Sequence, residues 1–510
     1  EGFLERAENE YLTSLKVNQL AFDAPIPFSL SMQTKDKSLV FDLSGEISSQ
    51  ANKGSSITAD GTFSVERPNV LLQEFGLKPL SSALNVPAKG GLTYTSQSGF
   101  DGIKNFTVKF GETEESVALS GSVSREEREG KLFYAADVEI NHFNAVEWQD
   151  LINDIKKADL TDVNQPDYEL KLNAQKITFK DYTANDASLF VSKKNGRIII
   201  NSLKGVLDGE TNISATGGSL IQNEKNGWSL IITGESESFR TLLSKYMSIH
   251  MFAPNVLQKT SFEGNLLVFD DSINVDIERF ESDGGYVKGK VDYLKSTPPF
   301  INVKGTIENA DLDKYVGYKP QKENKDIALM LPVIKSYFQN ATFLQGINGK
   351  MTLDMKEVTS FNLPMRKVKL EGELDDGLLK ISQLRVTDAA MATVLATAEI
   401  EKVATPEQKF NAFRLDFVAK ELKLFMDRAH LFSTNAYLNK VDKLSTNLTL
   451  SENKDAWKGT YSTKIGELET LLEGEISFES QEPVVKDLKV ELTYPSFQKF
   501  LKVLLFISLF

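Results

Sequence analysis

Val368-Lys369-Leu370-Glu371-Gly372-Glu373-Leu374 alternates with a period of two: Val368, Leu370 and Leu374 face one way, and Lys369, Glu371 and Glu373, preceded by Lys367, face the other. That period marks a β-strand with one apolar and one charged face. The pattern recurs in Leu170-Lys171-Leu172-Asn173-Ala174, Ile273-Asn274-Val275-Asp276-Ile277 and Leu488-Lys489-Val490-Glu491-Leu492, so it is spread along the chain. Between such stretches lie Asp60-Gly61, Asp101-Gly102, Asp208-Gly209, Asp283-Gly284, Asp376-Gly377, Asn195-Gly196, Asn226-Gly227 and Asn348-Gly349. These dipeptides tolerate the positive φ of type I′ turns. Read as hairpin tips, they predict meandering antiparallel strands.

Six short helix-like pieces interrupt the strands: Val70 to Phe75, Asn144 to Ile152, Ser238 to Leu243, Asp311 to Val316, Glu421 to Met426 and Ser496 to Leu501. Each carries apolar residues three or four apart. Their equivalent positions Leu71, Val146, Phe239, Leu312, Leu422 and Phe497 are spaced by 75, 93, 73, 110 and 75 residues, a loose internal repeat. A unit of several strands and one helix cannot bury its own apolar face, so such units stack. The expected architecture is mainly β: an elongated stack of antiparallel β-meander repeats with short amphipathic helices, forming a twisted groove with an apolar floor. About 30 strands at about 4.8 Å each would extend on the order of 140 Å. The expected units are 1–160 (with a helix near 144–155), 161–255, 256–320, 321–435 and 436–510, the last ending in an apolar helix.

The 510 residues carry a net charge of −13, and no basic run exceeds the pairs Lys156-Lys157 and Lys193-Lys194, so a nucleic-acid footprint is not expected. The absence of cysteine removes disulfides and thiolate chemistry and suits an oxidising compartment. The chain begins at Glu1 with no leader, as expected of a segment cut from a longer protein. The nearest approach to a membrane-spanning run is Val503 to Phe510, too apolar for a surface helix and expected to pack on a neighbour, enter a membrane or touch a partner. His142, His250 and His430 stand far apart, and no phosphate loop, nucleophile elbow or His-Glu-x-x-His motif occurs. Neither catalysis nor a cofactor or metal is expected.

So much apolar sheet surface has little helix to cover it. Either sheets pair, or the apolar face lines a groove. The candidate lining residues are Leu170, Leu172, Ile177, Phe179, Ile273, Val275, Ile277, Leu353, Val368, Leu370, Leu374, Leu488, Val490 and Leu492. An aliphatic floor suits acyl chains, whose burial needs area and no directional partner, at roughly 0.8 kcal/mol per CH₂.

Tyr168 to Phe179, Gly196 to Leu203 and Leu207 to Gly217, closed by the helix near Phe239 to Leu243, resemble the repeating unit of the AsmA-like family of Gram-negative envelope proteins. Phe262 to Leu267 running on to Ala310 to Val316 is similar, as is Phe343 to Leu353 with Gly377 to Val386. The resemblance covers most of the chain. It departs at Asp388-Ala389-Ala390-Met391, where the family's repeat has a small-residue bend. What it implies is a periplasmic β-groove, anchored to the inner membrane by a segment outside this chain, that moves phospholipid or another acyl lipid between inner and outer membranes with envelope proteins at its ends. The rival expectation is an outer-membrane protein assembly factor or envelope scaffold that works through a free sheet edge. A carbohydrate-binding β-solenoid would need an aromatic ladder, for which three Trp are too few.

Overall fold

A computed structural model describes residues 2–6, 9–17, 24–50, 54–74, 85–112, 116–146, 165–222, 224–245, 255–316, 335, 338–339, 341, 344–360, 363–428, 442–453, 456–477, 484–494 and 496. The chain divides into two compact units, Glu1–Gly234 and Glu235–Phe510.

The first unit is built from β1 (Gly2–Arg6), β2 (Asn9–Val17), β3 (Ile26–Thr34), β4 (Leu39–Gln50), β5 (Gly54–Val65), α1 (Pro68–Glu74), β6 (Ala88–Gln97), β7 (Phe100–Phe110), β8 (Val117–Arg128), β9 (Lys131–Asn144), β10 (Asp167–Phe179), β11 (Tyr182–Lys194), β12 (Arg197–Leu207), β13 (Thr211–Gln222) and β14 (Lys225–Ser236), whose end runs past the division. From β1 to β13 each strand pairs with the next in antiparallel fashion, except β9 and β10, which are parallel. α1 opens on Pro68, whose fixed φ and missing N–H suit a first helical position.

The second unit comprises α2 (Phe239–Leu243), β15 (Thr260–Phe269), β16 (Ser272–Ser282), β17 (Gly285–Leu294), β18 (Phe300–Glu308) with its two-residue continuation β19 (Ala310–Asp311), α3 (Leu312–Val316), β20 (Asn348–Ser360), β21 (Leu363–Asp375), β22 (Leu378–Ala389), β23 (Ala392–Glu401), β24 (Lys409–Ala419), α4 (Leu422–Arg428), β25 (Leu444–Asn453), β26 (Ala456–Ile465), β27 (Leu468–Ser477) and β28 (Val484–Thr493). It too is an antiparallel meander, with one parallel join between β18 and β20.

Four of the six expected helical pieces are α1 to α4. Asn144 ends β9 and Ala145-Val146 form a turn, while Trp148 and the rest of that piece, Phe497 to Leu501, His250, His430 and Val503 to Phe510 lie outside the described residues. In chain order the strands fall into sets of five (β1–β5), four (β6–β9), five (β10–β14), four (β15–β18), five (β20–β24) and four (β25–β28). The spacings of 75, 73 and 75 residues span the four-strand sets, and the longer 93 and 110 span the five-strand sets with the crossovers that precede them.

Four of the eight expected tips are turns. Asn195-Gly196, Asp283-Gly284 and Asp376-Gly377 have positive φ at both positions, and Asp208-Gly209 extends to Glu210 at φ 52°. The other four, Asp60-Gly61, Asp101-Gly102, Asn226-Gly227 and Asn348-Gly349, lie inside strands, which corrects their reading as tips. At Gly349 the reason is close approach: a Cβ there would stand 2.3 Å from the Ile301 carbonyl oxygen on the parallel neighbour.

Candidate functional site

Residues directly opposite one another in a ladder share a face. In the second unit Gly264, Ile277, Gly289, Gly305, Leu353, Leu370, Leu384, Ala396, Leu415, Leu448, Tyr461, Leu472 and Val490 are successive partners from β15 to β28. Every member is apolar or glycine. The first unit has its own row: Leu15, Leu30, Leu43, Gly61, Leu92, Phe106, Gly121, Val138, Leu172, Leu189, Leu203 and Ala215. The opposite face carries polar rows. Asn274, Asp292, Asn302, Lys350, Glu373, Lys380 and Glu399 form such a row in the second unit.

The polar row is cross-linked by side chains. Asn274 and Asn302 each donate to Asp292, at 2.9 and 3.0 Å, and Lys350–Glu373 and Lys380–Glu399 pair at 3.1 and 3.2 Å. Along single strands, the hydrogen bond that Lys369 donates to Glu371 holds the lysine above its ordinary pKa, and the one from Lys489 to Glu491 does the same. Exposed pairs of this kind are screened by water, so they orient and solubilise this face more than they hold the sheet. A recess of about 780 Å³ on this side is lined by Lys356, Arg366, Lys367, Lys369 and Arg385 with Glu308, Asp354 and Glu357. The pairs Lys356–Glu308 and Arg366–Glu357 offset part of its charge.

Burial on the apolar face is uneven: Val368 and Ala396, near the middles of β21 and β23, are buried. Leu353, Leu370, Leu384, Leu415 and Leu448, in the middle, are half-buried. Other fully buried residues lie towards strand ends. At one end of the second unit Ala390, Ala392 and Ala419 pack beneath Leu422 and Phe425 of α4. Phe239 of α2 meets Phe262 and Phe280 at that same end. At the other end Ile400, Phe410, Leu450 and Trp457 cluster with Phe338. In the first unit Tyr11, Leu39, Val65 and Ala88 form the end cluster, beside Phe110. Among the described residues all strands belong to ladders of sequential neighbours, and no second sheet lies over the half-buried middle.

The sequence-derived residues take these places. Leu353, Leu370 and Val490 lie in the row above, and Val368, partner of Met355 and Val386, and Leu374, partner of Gly349 and Leu379, flank it and are buried. Ile277 is in the row; Val275 pairs with Leu266 and Val291, and Ile273 with Val268 and Tyr293. Leu170 and Leu172 pair with Val191 and Leu189. Ile177 and Phe179 do not follow from the same alternation. Both ladders of β10 skip Gln175, opposite which Asp186 sits at φ 48°, and Phe179 is 41% exposed. Leu488, Val490 and Leu492 on β28 are exposed at 54%, 50% and 43%.

Two charged residues interrupt the apolar faces and are buried there: Lys193 in the first unit, two positions beyond Val191 and opposite Tyr168 and Ile198, and Glu452 in the second. Glu452, two positions beyond Leu450 and opposite Trp457, is buried; its Oε2 accepts from the Phe410 backbone N–H at 3.0 Å, and its Oε1 pairs with Lys335. His142 hydrogen-bonds Thr178 through Nε2 at 3.1 Å. Among the described residues no three His, Asp or Glu side chains converge as metal ligands, and no helix is long and apolar enough to cross a membrane. No family model, no curated protein and no solved structure matches the chain.

Proposed function

We infer that this protein binds the acyl chains of lipids along its apolar ladder faces and serves as a periplasmic carrier of phospholipid, or a similar acyl lipid, between the membranes of a Gram-negative envelope. The observation that carries the reading is the unbroken apolar row of the second unit: thirteen strands each contribute an apolar residue or glycine in register, with no second sheet over the half-buried middle among the described residues. A half-exposed aliphatic strip in water is costly in proportion to its area. A hydrocarbon chain laid on it removes that cost without asking for a hydrogen bond, while head groups stay hydrated. The compartment and the AsmA-like kinship rest on the resemblance of the repeats and on the lack of cysteine.

The deciding experiment compares lipid co-purified with wild type, Leu370→Glu and Lys369→Glu, quantified by mass spectrometry. Neighbours in sequence, these residues sit on opposite faces. The expected result is a several-fold loss of bound lipid in Leu370→Glu alone. Equal occupancy in all three would sink the reading and favour a scaffold that works through a strand edge.

A further inference from the structure

The β20–β21 ladder skips the facing pair Lys356 and Lys367, where Lys367 has φ 52°. The left-handed residue resets the alternation of side chains. Met355, Met365 and Val368 all pack with Val386 and Ala389 on the apolar face, while Lys356, Glu357, Arg366 and Lys367 all line the recess on the polar face. The β10–β11 ladder skips Gln175 and Asp186 in the same way, with Asp186 at φ 48°, again on the strands that follow a parallel join. A recess of about 760 Å³ lies there too. The fold thus builds this feature twice, and the two differ in charge. The recess beside β20 is lined by five basic and three acidic side chains, the one beside β10 by two of each, Lys89 and Lys109 with Glu139 and Asp186.

Lys356, Glu357, Arg366 and Lys367 stand where β10 and β11 carry Gln175, Lys176, Asn185 and Asp186, so the geometry itself asks for no excess of positive charge. An aspartate tolerates the left-handed conformation through local hydrogen bonds, and a lysine has no such help. Like charges also stand opposite one another, which disfavours a ladder: Lys356 faces Lys367, and Lys369 is the partner of Arg385. The counterparts of that second pair are Ser188 and Lys204, and Lys204 lies outside the first recess. Lys356 pairs with Glu308, Arg366 with Glu357 and Lys369 with Glu371; among the described residues Lys367 and Arg385 have neither an ion pair nor a side-chain hydrogen bond. We propose that this recess binds a phosphate group, held by Lys367 and Arg385. A guanidinium fork and an ammonium match phosphate oxygens in geometry and charge, and an anion between them relieves the repulsion of both like-charged pairs. The chain carries −13 in all, so the attraction is local to the recess. The recess lies on the face opposite the apolar strip, and the site stands independently of the lipid reading.

The test measures binding of inorganic diphosphate at low salt by calorimetry in the full chain and in two double variants. Lys367→Gln with Arg385→Gln alters the proposed site, and Lys89→Gln with Lys109→Gln makes the same change of net charge in the first recess. All four residues are exposed, so neither change disturbs packing. The first variant is expected to weaken binding about tenfold and the second to leave it within about twofold of the parent. Diphosphate is expected to raise the thermal midpoint of the parent and of the second variant but not of the first. Flotation with phosphatidylcholine vesicles, with and without phosphatidic acid, separates the two sources of phosphate. Flotation that needs both phosphatidic acid and the Lys367–Arg385 pair identifies a lipid head group, and diphosphate binding without flotation identifies a soluble phosphate compound. Absence of saturable binding in both assays, or equal losses in the two double variants, overturns the proposal.

Discussion

Gly349 and Gly372 sit on neighbouring strands and predict opposite responses to the same substitution. A Cβ at Gly349 meets the Ile301 carbonyl oxygen at 2.3 Å, while at Gly372 the nearest atom is the Lys380 carbonyl oxygen at 3.5 Å. Gly349→Ala should cost on the order of 1–3 kcal/mol, because backbone has to move. Gly372→Ala should be neutral or gain up to about 1 kcal/mol from the lost chain entropy. Urea midpoints of the two variants check this, and equal losses would refute the register. Asp36 supplies a pH test. Its carboxylate accepts from the Ser38 backbone N–H at 3.0 Å and then from the Thr34 and Ser38 hydroxyls, which together hold it down to about 2. Because the folded value lies below the unfolded one of about 3.9, the stabilisation of this β3–β4 turn is complete above that pH and fades as the pH falls towards 2. An NMR titration of Asp36 with a midpoint near 3.9 would contradict it. Sequence alternation marked Leu370 and Ile277 as apolar positions of their own strands, and the register that sets them in one row with Leu353 is visible only in the ladders. Alternation could not place Glu452, whose partner Lys335 is 117 residues away and sits in no periodic pattern.

At the scale of elements, α4 shows how a short helix earns its place. Leu422, Phe425 and Met426 stand at i, i+3 and i+4 and drop onto Ala390, Ala392 and Ala419, small residues that leave room for a helix. Phe425 also stands edge-on to Phe417, 5.1 Å away. Phe425→Ala should therefore cost about 3–5 kcal/mol and speed amide exchange at the α4 ends of β23 and β24. Exchange confined to α4 itself would show the helix to be a passenger. That apolar spacing made α4 legible in the sequence. The parallel joins were not, because pairing β9 with β10 or β18 with β20 leaves no local mark at either strand. The tip signals were half right for a related reason. An Asn-Gly or Asp-Gly dipeptide reports what its own backbone tolerates, whereas the need for glycine at position 349 comes from Ile301, across the ladder.

For the molecule as a whole, strands touch mainly their neighbours within each compact unit, and each unit has buried end clusters of its own. Stability then accumulates from nearest-neighbour interfaces instead of one central core. Scanning calorimetry is expected to resolve at least two transitions, with Phe425→Ala lowering only one of them; a single two-state transition would be incompatible with that organisation. The alternation of five- and four-strand sets has a further consequence, for how such a chain can change length. A meander that adds two strands comes back to the end it left. Adding one strand would send every later helical connection to the opposite strand end. The sets β10–β14 and β20–β24, odd in number, each open on a parallel join whose crossover restores the direction. Duplication can thus insert a hairpin, or a block of nine strands together with its crossover, and preserve the rest. Lineages of this design should differ in length by fixed increments, and an ancestor could have doubled its reach without altering a residue of the part already built.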